Sequence, residues 1–284
     1  MKRPYSRTYS QSRRRQQERS RDRRGWLLIA SSVVALVLLA GFGVAASRTT
    51  AISPETGCPK THRMPTAHTI VLLDETDRLS PTEVRYAQTV IADEYHWLPV
   101  GGRLTVRNIV ADPSISTDIV ICRMDDGSKI LGLMKNPRQV QKQFEKYAGS
   151  KLKKLLKEIS DAPVQEYSPI VETVTDTLDQ PDFGRSVEER RLILISDMAQ
   201  HSTEFTQYGA SLRAKDLEEF NRDIEGVSVR IHYISRRGLS LQGARHKAFW
   251  KGYFTGMGAQ DVHIGHDPLL GEDPTKREVW NETD

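Results

Sequence analysis

The 284 residues contain no G-x-S-x-G elbow, no Walker A loop and no H-E-x-x-H pair, so the serine-hydrolase, P-loop and zincin chemistries with local signatures are excluded. No repeat period shows, which excludes a solenoid or propeller. Cysteine is nearly absent: Cys58 lies in a Pro-rich stretch and Cys122 ends a predicted strand. Two cysteines cannot make a disulfide-dense scaffold or an all-cysteine zinc site, and neither has the local context of a catalytic thiol. If the domain is exported, the two can pair; otherwise they stay as two thiols, and the sequence does not measure their separation. Charge, too, is missing from one long run, Gly25 to Ser47 (GWLLIASSVVALVLLAGFGVAAS).

That run is long enough to cross a bilayer as a helix, and Trp26 sits at its edge as an interfacial anchor. The residues before it are Arg-, Ser- and Gln-rich, and disorder is their default. Residues 1–25 hold ten Lys/Arg against Glu18 and Asp22, a net charge of +8. The whole chain has +4, so the remainder is mildly acidic at −4. A basic flank beside an apolar span is a topology signal, which explains the arginines without nucleic acid. A cleaved signal peptide is the alternative, with Val44 and Ala46 before the cut, but the apolar run and the basic region are both long for that. The expected arrangement is a single pass through the inner (cytoplasmic) membrane. The N-terminus is then cytoplasmic and everything after residue 47 periplasmic or extracellular.

Residues 1–24 are therefore read as a basic tail, 25–47 as the transmembrane helix, 48–66 as a linker, 67–265 as one folded domain and 266–284 as a polar tail. Within the domain, strand-like and helix-like segments alternate six times. That pattern implies an α/β fold with a mainly parallel sheet flanked by helices. The predicted helices are Thr82–Trp97, Gln139–Ile159, Ser211–Ile224 and Gln242–Thr255. The second carries a row of lysines, which reads as a solvated face, or more sharply as a surface for anionic headgroups or an acidic partner.

Two strand ends carry the chemistry. Ile70–Leu73 is an apolar run suited to a strand buried on both faces. It breaks into Asp74, Glu75, Thr76 and Asp77, with Ser80 and Pro81 beyond. Leu192–Ile195 repeats the pattern and ends in Ser196 and Asp197. Between them, Ser168 precedes Pro169, the pattern of a helix N-cap followed by proline at the first helical position. In open α/β sheets, ligands bind at the carboxyl ends of strands.

Together these segments resemble the von Willebrand factor A domain family over about residues 66–265. That family has a metal-ion-dependent adhesion site: D-x-S-x-S after the first strand, a Thr before a later helix and an Asp after the fourth strand. Asp74 and Thr76 match the Asp and first Ser, Ser168 stands for the Thr, and Asp197 matches the last Asp. Arg78 departs from the pattern, occupying the place of the second Ser. The resemblance implies a Rossmann-like doubly wound six-stranded sheet in the order 3-2-1-4-5-6, with an antiparallel edge possible. It implies Mg²⁺, or Mn²⁺ or Ca²⁺, on Asp74, Thr76, Ser168 and Asp197, with Asp77 and Ser80 as further ligands or support. It also implies a protein partner whose carboxylate completes the coordination. Two other readings stand beside this one. One is a membrane-anchored metal-dependent hydrolase using Asp74, Asp77 and Asp197, although Thr76 occupies the place of the second Asp in D-x-D-x-T. The other is a structural subunit of a membrane complex with a vestigial metal site. Strand-to-helix loops are also rich in Asp, Ser and Thr simply because these residues cap helices.

Overall fold

The computed structural model describes residues 26, 29–41, 53, 56–60, 64–112, 116, 118–125, 138, 142, 146, 149–151, 153–154, 165–208, 214–236 and 238–265. The chain divides into two units, Met1–Ala51 and Ile52–Asp284. In the first, the described residues are helical. Among the described residues, no helix is long and apolar enough to cross a membrane. Much of the expected span, both tails and most of the Lys-rich Gln139–Ile159 segment lie outside the described residues.

The second unit is built on six strands: β1 Ala67–Asp74, β2 Arg103–Ile109, β3 Asp118–Cys122, β4 Glu189–Ser196, β5 Val227–Tyr233 and β6 Asp261–Gly265. Their order is β3-β2-β1-β4-β5-β6. All neighbours are parallel except β2 and β3, so the antiparallel edge is β3. The apolar runs sit centrally because only a central strand covered on both faces can bury every side chain. All eight residues of β1 are buried, and seven of the eight in β4.

Alternation along β1 divides the core in two. Val71 and Leu73 join Leu104, Val106, Ile193 and Ile195 under helix α1, Pro81–Trp97, which contributes Ala87, Val90, Ile91 and Tyr95. Ile70 and Leu72 face the other side, with Leu192, Leu194, Val229 and Ile231. That side is covered by α2, Ile170–Leu178, and α3, Ala244–Gly256, whose Trp250 and Phe254 are fully buried. Burying each such side chain contributes about 1.5–3 kcal/mol.

The order of strands agrees with the expected 3-2-1-4-5-6, and three local expectations need correction. Where the pattern predicts a helix over Ser211–Ile224, the described residues form a 3-10 helix, Ala214–Phe220. Helix α3 begins two residues later than the pattern predicts, after Gly243, which offers no side-chain cap. Ser168 is not the cap of α2: the cap position is Pro169, and no side chain of that residue bonds to the helix. The reason lies in the site described below.

Cys58 and Cys122 are joined by a disulfide across 64 positions of sequence, with Cα atoms 4.8 Å apart. The Cys122 amide also donates to the Thr56 carbonyl at 2.9 Å. The linker is thereby fastened to the end of β3. Nearby, the α1–β2 turn passes through Gly101 at φ 89°, and a Cβ on Gly102 would stand 2.9 Å from the Pro99 carbonyl. Both positions therefore suit glycine.

Candidate metal-binding pocket

β1 and β4 are neighbours, so their carboxyl ends bring Asp74 and Asp197 together. Asp74 is buried and accepts four hydrogen bonds. Its Oδ1 takes the Thr76 amide at 3.1 Å and the Thr76 hydroxyl at 2.6 Å. Its Oδ2 takes Ser196 Oγ at 2.6 Å and Ser168 Oγ at 3.2 Å. Ser168 reaches it because its loop is tied to the β4 loop by two backbone bonds to His201, at 2.7 and 3.0 Å. A hydroxyl that donates its one proton to Asp74 keeps its lone pairs for another partner.

This explains the missing cap. With Ser168 Oγ turned toward Asp74, an orphan N–H at the start of α2 must be satisfied from elsewhere. The fully buried Gln200 does this, accepting from the Val171 amide at 2.8 Å, while its Nε2 donates to Glu172 at 3.0 Å. Nothing in the local sequence around Gln200 marks it as a cap.

Asp197 is buried as well. Its Oδ1 accepts from the Ala199 amide at 2.9 Å, and its Oδ2 lies 3.7 Å from Arg236 Nε. Arg236 also donates to both oxygens of Glu83, at 3.1 and 3.2 Å. Burial first, and then the charge of Asp74, pushes the Asp197 carboxyl up to about 7. Glu75, buried and accepting from Asn108 Nδ2 at 2.7 Å, is also pushed up to about 7, again by burial and then Asp74. A cation joining these crowded acids would favour their charged forms.

After Asp197 the chain turns sharply through Met198, whose φ of 61° is unusual for a bulky residue. Its surroundings hold it there. The side chain is fully buried, its amide donates to Ser196 Oγ at 2.7 Å, and its carbonyl accepts from Trp250 Nε1 at 3.0 Å.

A pocket opens above these groups, lined among others by Thr76, Asp77, Ser168, Asp197, His201 and Tyr208. Asp74 lies behind this lining, reached through the Thr76 and Ser168 hydroxyls. Tyr167 and Tyr208 flank the His201 ring at 5.1 and 5.4 Å between centroids. The Tyr208 phenol is pushed up, by burial and then by Asp197.

The expected residues thus separate. Asp74, Thr76, Ser168 and Asp197 meet at one place. Asp77 is exposed at the pocket wall. Ser80 is occupied as the N-cap of α1: it accepts from the Glu83 amide at 3.3 Å, and its own amide donates to Glu83 Oε2 at 2.6 Å. Ser80→Ala is expected to cost about 1 kcal/mol in urea denaturation and to leave any response to Mg²⁺ unchanged. A lost Mg²⁺ response would return Ser80 to the site. Arg78 is exposed and is not among the pocket's lining residues. The cation beside the carboxylates is instead Arg236, just after β5, which no sequence pattern singles out. Ser196 is visible in the S-D pair, but its role is not.

Among the described residues, no group of three or more His, Cys, Asp or Glu could hold a metal. The donors here are two carboxylates with hydroxyls, a hard-oxygen set of the kind suited to Mg²⁺ or Ca²⁺.

No protein-family profile matches the sequence, and no curated protein does. Solved structures are similar at low identity. An aerotolerance-related membrane protein from Bacteroides fragilis is 12% identical over 71% of this chain and 92% of its own, with a TM-score of 0.37. A von Willebrand factor type A protein from Catenulispora acidiphila is 12% identical over 72% of this chain and 39% of its own, at 0.39. The pilus adhesin SpaC from Lactobacillus rhamnosus GG is 8% identical over 75% and 29%, at 0.42. At such identities and scores, no activity, metal or partner passes from those proteins to this chain.

Proposed function

We propose that this von Willebrand factor A-like domain is held at a membrane by the uncharged span from Gly25 to Ser47 and binds a protein partner through a divalent cation at the carboxyl edge of the sheet. One observation carries the reading. The hydroxyls of Thr76 and Ser168 give their protons to Asp74 while lining a pocket that also takes in Asp197. Their lone pairs and the Asp197 carboxylate would hold Mg²⁺ or Mn²⁺, with Asp74 orienting the hydroxyls from behind. The bound ion would supply a Lewis-acidic point for a carboxylate of the partner.

The chain's own residues set the terms. Arg236 offsets part of the negative charge at Asp197. Asp77 at the wall adds charge that favours a cation and disfavours a strongly acidic partner. Asp74 does not stand as a free nucleophile, because both its oxygens already accept hydroxyl protons.

Calorimetric titration of the full chain in lipid nanodiscs with Mg²⁺ and Mn²⁺ tests the site. Saturable heat and a raised Tm are expected, with both lost in Asp74→Ala and Asp197→Ala. Crosslinking in the native membrane, with and without EDTA, tests the partner: a captured protein should disappear when metal is removed. No heat, no thermal shift at millimolar metal and EDTA-insensitive capture would leave a structural subunit with a vestigial site. Metal-dependent release of phosphate from a phosphoester would replace adhesion by hydrolysis.

A further inference from the structure

Four large hydrophobic residues of the folded domain are exposed among those described: Met64 at 47%, Trp97 at 53%, Val100 at 64% and Tyr208 at 48%. Tyr208 rims the pocket. The other three share the opposite, amino edge of the sheet. Met64 stands just before β1, Trp97 ends α1, and Val100 lies in the turn leading to β2. Soluble domains expose scattered hydrophobics as a matter of course, so their placement is what counts. This edge is also where the chain from the proposed membrane span arrives.

The Cys58–Cys122 disulfide and the bond from the Cys122 amide to Thr56 fasten that incoming chain to the end of β3. Because β3 is antiparallel, its end lies beside the start of β2, where Cys122 pairs with Arg103 at the amino edge. Between Ser47 and Thr56 the chain makes nine residue steps, which reach roughly 30 Å at full extension. Further along, the Thr66 carbonyl accepts from the Glu189 amide at 3.2 Å, and a chain held only from there would reach roughly 65 Å.

We propose that the amino edge of the domain docks on the lipid surface through Trp97, Val100 and Met64, with the disulfide acting as the short tether that keeps it there. The inference rests on the proposed membrane span. The Trp97 ring packs over the Arg191 guanidinium at 3.9 Å, and the Arg191 side chain also pairs with Glu94 at 3.1 Å. Its position is therefore held by the fold. Indoles are favoured at the bilayer interface, where one part is apolar and another wet. Among the described residues at this edge, exposed Lys60 and Arg185 stand with exposed Glu188 and Glu189, so charges of both signs are present and the proposed contact is carried by the apolar side chains. The pocket at the carboxyl edge then faces away from the membrane, open to a partner in the aqueous space.

Fluorescence of the full chain in nanodiscs of brominated phosphatidylcholine tests this. The chain has four tryptophans. Trp280→Phe serves as background, and Trp250 is fully buried in the core, so the signals to separate are Trp26 and Trp97. Relative to unbrominated discs, the background chain should be quenched more than the same chain carrying Trp97→Phe. Val100→Asp, which leaves every indole in place, should reduce the Trp97 part. Reduction of the disulfide should also lower it, by up to roughly threefold, because effective concentration falls with about the three-halves power of tether length. Equal quenching with and without Trp97, while Trp26 is still quenched, overturns the docking and leaves the anchor standing. No quenching in either chain removes the anchor, and the docking with it.

Discussion

Without divalent metal, the unfolding free energy of the chain is expected to fall as pH rises from about 4 to about 7, and Asp197→Asn should remove much of that fall. The sign follows from proton counting. The folded state holds the Asp197 proton up to about 7, against 3.8 for an ordinary aspartate, so between these values it binds more protons than the unfolded chain. Stability from this group is full below about 4 and is lost as pH rises through about 7. A shift of about three units corresponds to something on the order of 4 kcal/mol. Glu75, also pushed to about 7, adds a slope of the same sign. His246 opposes it: burial lowers its imidazole to about 4, so its contribution is present above its ordinary value near 6.5 and is lost as pH falls toward 4. The difference between the native chain and Asp197→Asn isolates the aspartate from both. The measurement is urea denaturation from pH 4 to 8 in EDTA. With Mg²⁺ the trend should reverse above pH 7, since the ion needs the carboxylate; at about a hundred times its dissociation constant it would return about 2.7 kcal/mol. The same slope in Asp197→Asn as in the native chain would refute the crowding of Asp74 and Asp197.

Reduction of the disulfide, or Cys58→Ser with Cys122→Ser, is expected to lower stability by about 4 kcal/mol. The chain-entropy estimate depends on the length of the closed loop, and the 64-residue separation makes that loop long. The cost falls mainly on the unfolded state. The sheet order and the pocket should therefore persist in the reduced chain under native conditions, and the Mg²⁺ response with them. Thermal unfolding with and without reductant measures the loss. Two freely alkylated thiols in the denatured, unreduced chain would show that no bond had formed.

Period and composition alone are enough to locate the central strands. Ile70–Leu73 and Leu192–Ile195 read as buried runs because a strand covered on both faces must be apolar throughout, and β1 and β4 are those strands. The acidic and hydroxyl residues at their ends follow from the same reading. The order of the sheet comes from the family resemblance, since periodicity reports which faces are buried and not which strands adjoin. Tertiary structure decided the rest. Ser168 has the local pattern of a helix cap, and that pattern cannot reveal that its hydroxyl turns to Asp74, 94 positions away, while Gln200 satisfies the helix. Arg236 reaches Asp197 only because β5 lies beside β4. Cys58 and Cys122 meet because β3 runs antiparallel to β2 and returns its end to the edge where the linker enters. Each depends on where distant loops come together in space, and side-chain periodicity along one segment does not encode that.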